Sequence, residues 1–521
     1  MTSSARTATT VIHSVADVVR VHGRDRPAAP ALIVDDRTIT FGELDHLSNR
    51  AAQAFAAAGV GAGDRVAFLD RNGAEFFVVM FGLAKLGAVG VPVNWRLAPP
   101  EMAHIIGDCG AAAVVVGADF VGHVEAIESA LDARVVAIGA HPRWPDLHDW
   151  LEAHPAVDPG VVTGPDDLVF LMYTSGTTGL PKGVMLSNAN YVCKTSGVER
   201  PWRFDADAVS LAVMPLFHMA GSGWAFAGLW HGAVTVVLRD VDPAAILDAI
   251  TTHRVTNMLV VPAVVQFLLD TPGIDAADLS SLRIVVYGAS PISDDVLVRG
   301  IARFGGVFAQ VYGMTETTGS ITQLGGDEHS PELMRSCGKP YPWVQIRVVD
   351  RDGAHVPTGT VGEVWTRSAQ NMLGYWANPD ATAATLTPDG WLRTGDAGYL
   401  DADGYLYLHD RIKDMIVSGG ENVYPAEVEN VLMTHPGVAD AAVIGVPDPR
   451  WGEAVKAVVV AAPGAHLTEA DLIGYARGRL GGFKLPKTVD FVDALPRTPS
   501  GKILKRALRE PYWADADRRI G

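Results

Sequence analysis

Hydroxyls, glycines and one lysine crowd together in Tyr173-Thr-Ser-Gly-Thr-Thr-Gly-Leu-Pro-Lys-Gly183. That mixture suits a polyphosphate. Gly176 and Gly179 let backbone N–H groups approach the oxygens, Thr174, Ser175, Thr177 and Thr178 donate hydrogen bonds, and Lys182 supplies a point charge. A Gly/Thr-rich β-turn shares the composition, and the full spacing argues against it. The stretch is not a Walker A loop. That loop needs Gly-Lys-Ser/Thr opening a helix, whereas here Pro181 precedes Lys182 and Gly183 follows it.

Other polar residues stand at the ends of apolar runs. Glu316 closes Phe308-Ala-Gln-Val-Tyr-Gly-Met-Thr-Glu316, and a carboxylate near a triphosphate is repulsive unless it holds a metal. Tyr312 in the same run offers a flat face. Asp396 follows a Thr-Gly turn, and an ionised Asp accepts two hydrogen bonds, matching a pair of ribose hydroxyls. Lys502, in Pro499-Ser-Gly-Lys502, presents one long cation on a tight turn. Lys484, Lys487, Arg497, Lys505 and Arg506 make that end locally basic.

The elements that must position these residues are legible in outline. Leu168-Val-Phe-Leu-Met-Tyr173 reads as a buried strand, and Val184–Leu186 as a returning one. Thr40-Phe-Gly-Glu43 is a capping box that opens a helix with its stop at Gly59. A strand at 64–69, a buried helix at 75–86 and a strand at 89–93 continue a β-α-β alternation that predicts a parallel sheet flanked by helices. Leu211–His218 reads as a strand ending in an aromatic-histidine pair, with later strands at Met258–Val261 and Ile284–Tyr287. From Ile346 short alternating strands and Asp-Gly turns predict a small antiparallel β unit. The charged and glycine-rich stretch Asp410–Asn422 reads as a junction, followed by an α+β unit large enough to be a domain.

A chain of 521 residues exceeds a single core. Its net charge of −17 argues against nucleic acid and anionic membrane as bulk partners, so anionic substrates must be held by local positive charge. Cys109, Cys193 and Cys337 have neither metal-ligand spacing nor a disulfide framework, which points to a reducing, cytoplasmic setting. Residues 1–10 lack the apolar core of a signal peptide. Leu211–Leu238 is the most membrane-like stretch, but its prolines, glycines and histidines fit a strand, a bend, a buried helix and a second strand better than a transmembrane segment. Peripheral membrane contact and a homodimer stay open.

Seven stretches in order, Tyr173–Gly183, Pro215–His218, Tyr287–Pro291, Tyr312–Glu316, Leu392–Asp396, Asp410–Asn422 and Pro499–Lys502, resemble the motifs of the adenylate-forming (AMP-binding) superfamily. The chain looks most like its bacterial fatty acyl-CoA synthetases. The resemblance implies an α/β fold, with a large N-terminal AMP-binding domain (1–410) and a mobile C-terminal α+β domain (411–521). It implies ATP, Mg²⁺ and CoA, with a small-molecule carboxylic acid as the remaining substrate. By the same resemblance, Thr174, Ser175, Gly176, Thr177, Thr178, Gly179 and Lys182 hold phosphates, and Gly288, Ala289 and Tyr312 border adenine. Thr315 contacts phosphate and Glu316 holds the metal. Asp396 and Arg411 meet the ribose or a phosphate, and Lys502 stabilises the charge developing at the α-phosphate. Lys413 occupies the hinge, with Gly419 and Gly420 along a CoA channel.

The resemblance also brings Phe217, His218, Gly221, Trp224, Val261, Val264 and Gly313 to the acyl pocket, with Phe267 nearby. His218 is expected to border the incoming carboxylate without acting as a base, since a carboxylate is already ionised at neutral pH. The apolar, small-residue texture predicts a medium- to long-chain fatty acid. It would also accept an aryl or steroid-derived acid, and a stand-alone acid-adenylating enzyme is the remaining alternative. An amino-acid substrate is disfavoured because no acid stands near Phe217-His218 to pair its ammonium.

Overall fold

The helices begin where a side chain can cap them. The Thr40 hydroxyl accepts from the Glu43 N–H while Glu43 accepts from the Thr40 N–H at 2.8 Å, and the helix Phe41–Ala57 follows. Gly59 ends it in the left-handed region, at φ +89°. Ser187 caps Asn188–Gly197, Thr468 caps Glu469–Ala476, and Pro425 takes the first position of Pro425–Met433. Each of these starts agrees with the sequence.

The computed structural model describes residues 11–174, 181–290, 292, 294–411, 414–418, 421–448, 450–477, 479–497 and 503–513. They fall into two compact units. The first comprises 1–334, 338–345 and 367–390, and the second 335–337, 346–366 and 391–521.

The first unit carries two sheets. One runs Lys339–Pro340, Gly319–Leu324, Phe308–Met314, Ile284–Gly288, Asn257–Val260, Val209–Ala212, Val234–Val237, Pro30–Val34 and Arg37–Thr40. Its central strands are parallel; Gly319–Leu324 and Arg37–Thr40 pair antiparallel near its edges. The other runs Gly374–Tyr375, Lys182–Ser187, Leu168–Thr174, Val89–Pro92, Arg65–Leu69, Ala111–Gly117 and Arg134–Ile138. It is parallel except where Lys182–Ser187 returns beside Leu168–Thr174 and takes Gly374–Tyr375 on its other edge. The helix Ala74–Leu86 is buried at every position but Glu75, as its all-round apolar sequence requires. Its Phe76, Phe77 and Phe81 pack on Phe226 of the helix Met219–Trp230.

In the second unit Gln345–Val349, Gly362–Arg367, Leu392–Leu400 and Leu406–Arg411 form the expected small antiparallel sheet. Ile416–Ser418, Glu421–Val423, Val438–Asp448, Gly452–Ala461 and Thr488–Phe491 form another. The core of this second sheet includes Val428, Leu432, Val443, Val455 and Leu472.

One expected strand is shorter than its sequence suggested. Leu211–His218 does not run extended to the histidine; the strand is Val209–Ala212. Pro215 has no N–H for a ladder. A Cβ at Gly221 would lie 2.4 Å from the Met214 carbonyl oxygen and 2.2 Å from that of Pro215. Only glycine lets the first turn of Met219–Trp230 fold against this bend, which moves His218 from a strand end to a helix N-cap.

Candidate active site

The candidate residues of the first unit collect at the carboxyl ends of parallel strands, where open α/β sheets bind ligands. Thr174 ends Leu168–Thr174 and stands opposite Lys182 in the ladder. Gly288 ends Ile284–Gly288, Tyr312 lies near the end of Phe308–Met314, and Glu316 sits in the 3₁₀ turn just beyond. The phosphate-loop residues Ser175, Gly176, Thr177, Thr178 and Gly179 lie outside the described residues, as do Lys413, Gly419, Gly420 and Lys502.

Glu316 is 7% exposed, and a carboxylate so buried requires partners. The Tyr375 hydroxyl donates to its Oε1 at 2.9 Å. The Lys182 ammonium lies over the same Tyr375 ring, 5.2 Å from its centre. One tyrosine thus joins the acid to the lysine of the phosphate loop. It can do so because Gly374–Tyr375 pairs with Lys182–Ser187, the strand leaving that loop.

The turn under Glu316 is held from several sides. Met372 N–H donates to the Glu316 carbonyl at 2.8 Å. Thr317 Oγ1 accepts from Met314 N–H and donates to the Gly319 carbonyl. Thr318 sits at φ +48° and donates to the Gln370 carbonyl at 2.6 Å. The Gln370 amide returns bonds to the carbonyls of Thr317 and Ser320. Ala289 is also left-handed, at φ +68°, a conformation costing of order 1–3 kcal/mol in a residue with a Cβ. Two such positions flank this one site. Among the described residues no cluster of three or more His, Cys, Asp or Glu could hold a metal, so an ion at Glu316 would take ligands from water or substrate as well. That suits a Mg²⁺ ion bound by one carboxylate and by substrate phosphates.

His218 caps Met219–Trp230, its Nδ1 accepting from Ala220 N–H at 3.1 Å. That bond assigns the ring proton to Nε2. Phe217 meets the edge of Trp95. Trp224 is buried against Trp202 and Phe204. Val264 is buried in the core under the parallel sheet, with Val261 packed against it, while Phe267 is exposed. Two glycines expected near ligands have backbone neighbours on their Cβ side. At Gly288 a Cβ would stand 2.3 Å from the Val311 carbonyl oxygen, and at Gly313 2.1 Å from that of Gly319. Their smallness, like that of Gly221, serves close approach of the chain to itself.

In the second unit Asp396 is buried, and its N–H bonds Thr394 Oγ1 at 3.1 Å. Its ladder partner is Arg411, so the two residues expected at the ribose stand opposite one another. Three of the five cations named at the basic C-terminal end are ion-paired. Lys484 pairs with Glu427, Arg497 with Asp440 and Lys505 with Glu429. These partners come from distant strands and helices, which the run of charges does not disclose.

Sequence reasoning missed Tyr375, Gln370 and Lys194. The stretch Asn371-Met-Leu-Gly-Tyr-Trp376, an aromatic pair after a glycine, was the available signal for the first.

Two family models match the chain: AMP-binding enzyme over residues 19–376, and AMP-binding enzyme C-terminal domain over 427–502. The chain is 42% identical to the fatty acid–[acyl-carrier-protein] ligase ScoC of Streptomyces coeruleorubidus, over 98% of each. It is 40% identical to a feruloyl-CoA synthase of Amycolatopsis sp, over 94% of this chain and 97% of that one. The crystal structure of ATP-bound MatB from Rhodopseudomonas palustris superposes with a TM-score of 0.88 at 32% identity, covering 97% of this chain and all of that one. Motif order, fold and these likenesses agree: the chain belongs to the AMP-binding enzyme family, whose CoA ligases use ATP, Mg²⁺ and CoA to activate carboxylic acids through an acyl-adenylate.

Proposed function

We propose that this enzyme is an ATP-dependent fatty acid–CoA ligase acting on medium- to long-chain acids. The observation that carries the site assignment is the linkage of Glu316, just beyond the end of Phe308–Met314, to Tyr375 and Lys182 on the two antiparallel strands beside Leu168–Thr174. In this reading Thr174, Lys182 and the loop Ser175–Gly179 hold the phosphates, with Thr315 beside them. Tyr312 and the Gly288-Ala289 backbone border adenine. Asp396 and Arg411 take the ribose. Mg²⁺, held by Glu316, neutralises phosphate charge when bound. The substrate carboxylate attacks the α-phosphate in line, pyrophosphate leaves, and Lys502 stabilises the charge that develops. The CoA thiol then attacks the acyl carbon and AMP leaves. The two halves need different surroundings, so the C-terminal domain (411–521) rotates about Lys413, bringing Gly419 and Gly420 to the pantetheine path. His218 borders the carboxylate as an oriented N-cap.

The fatty acid assignment draws on the apolar texture around Met219–Trp230 and on the likeness to ScoC. An aryl acid is the second reading. Trp224 fills space on that helix, and Gly221 opens none, which favours a short flat acid; the feruloyl-CoA synthase likeness agrees. Pyrophosphate release across straight-chain and aryl acids, with CoA present or absent, separates the two. If aryl acids alone are turned over, the fatty acid reading is wrong. If pyrophosphate is released but no acyl-CoA forms, the acceptor is not CoA.

A further inference from the structure

Lys194 has no part in the chemistry above. It lies on the helix Asn188–Gly197 and is 4% exposed. Its Nζ donates to the Ser320 carbonyl at 2.9 Å and lies 2.5 Å from Ser320 Oγ. Aromatic faces cover it: Trp202 at 4.4 Å and Tyr341 at 4.8 Å from Nζ to ring centre. Among the described residues none of its contacts is a carboxylate. Lysines are almost never fully buried without a charged partner. Burial holds this one well below the ordinary lysine range. Cys193 and Tyr341 beside it are pushed up by burial and stay neutral.

A polar group nearby does lack a partner among the described residues. The Trp224 indole N–H is buried and bonded to nothing among the described residues. Its ring lies 4.9 Å from that of Trp202, the same ring that Lys194 covers. Such a donor is costly unless something supplies an acceptor.

Both groups adjoin the elements of the proposed acid site. A Cβ at Gly319 would stand 3.6 Å from Met219 Cγ and 3.7 Å from Lys194 Cε. Met219 follows His218, Trp224 lies on the same helix, and Gly319 closes the turn that carries Glu316. We infer that Lys194 and Trp224 form the far end of the acid-binding site and receive an oxygen atom at the distal end of the substrate acid. The inference rests on the acid-adenylating reading and narrows its substrate: an apolar body with an oxygen at its tip. A plain alkyl end would leave the Trp224 indole unpaired and give the Lys194 amine no acceptor beyond Ser320. A neutral oxygen would accept from the amine and the indole. A terminal carboxylate would in addition draw a proton onto the amine, whose cation the two ring faces favour.

The test uses matched straight-chain acids ending in methyl, hydroxyl or carboxylate, and cinnamate with and without a para hydroxyl. Pyrophosphate release gives kcat/KM for each. In the wild type the oxygen-ended member of a matched set should exceed its plain partner by about tenfold to hundredfold. Lys194→Met and Trp224→Phe should each shrink that ratio toward one. Ratios are taken within one variant, so a general loss of stability cancels, and the wild-type ratio decides even if a variant fails to fold. Calorimetry in buffers of different ionisation heat should show proton uptake if the carboxylate end is the one held, and none for the hydroxyl end. A wild-type ratio at or below one, or a preference that survives both substitutions, overturns the inference. Pyrophosphate release without end-group preference removes the inference alone; no release with any acid removes the function with it.

Discussion

Replacing Tyr375 by Phe deletes a single oxygen from the candidate site. The ring stays, so Lys182 keeps the face it lies over at 5.2 Å. What goes is the donor at 2.9 Å from Glu316 Oε1, in a place where the acid is 7% exposed and water is scarce. A hydrogen bond to a charged group is worth about 1.5–3 kcal/mol. With about 1.4 kcal/mol per tenfold in rate, kcat/KM for ATP in adenylation should fall by roughly one to two powers of ten. Because the acid is proposed to hold Mg²⁺, the Mg²⁺ concentration for half-maximal pyrophosphate release should rise as well. Thioester formation from supplied acyl-adenylate needs no metal at the triphosphate and should change little. Tyr375→Leu removes the ring too and should be the worse variant. A Phe variant with wild-type adenylation and unaltered Mg²⁺ dependence would refute the role given to this contact.

Three further outcomes follow from the same reading. Lys502→Ala should slow adenylation by roughly 10²–10³, the cost of one such donor, and spare thioester formation; equal loss in single-turnover assays of both halves would contradict it. Lys413→Pro, which fixes φ near about −65°, should leave acyl-adenylate formation intact and suppress acyl-CoA formation, and a variant making acyl-CoA from acyl-adenylate at the normal rate would exclude rotation about this residue. The last concerns pH. Burial holds Lys194 below its unfolded value, so above its folded pKa and below about pH 10.4 the unfolded chain binds the extra proton. Stability should therefore rise with pH across that window, by at most about 1.4 kcal/mol per pH unit, and Lys194→Met should flatten the slope in urea unfolding. An identical slope in the variant would show that the amine is not the group responsible.

Local spacing carried much of this protein. Capping at Thr40, Ser187 and Thr468 depends on side chains three residues from their targets, so the sequence states those helix starts directly. The β-α-β alternation implied parallel sheets, and with them a site at strand ends, because a crossover helix leaves few other arrangements. The helix Ala74–Leu86 declared its burial by being apolar all round. Tertiary structure alone decided which residues meet. Tyr375 reaches Glu316 across 59 positions, and Lys194 reaches Ser320 across 126. On its helix Lys194 reads as one more polar residue, and nothing within a few turns of chain reveals that two aromatic rings enclose it. Gly221, Gly288 and Gly313 read as room for a ligand, but their missing Cβ is space taken by a neighbouring carbonyl. In the basic C-terminal run Lys484, Arg497 and Lys505 are paired with acids brought in from other elements. Caps and periodicity are set by neighbours within a turn or two of chain. Contacts across a hundred residues are set by how sheets pair and helices pack, and that information lies in the whole chain and in no one stretch of it.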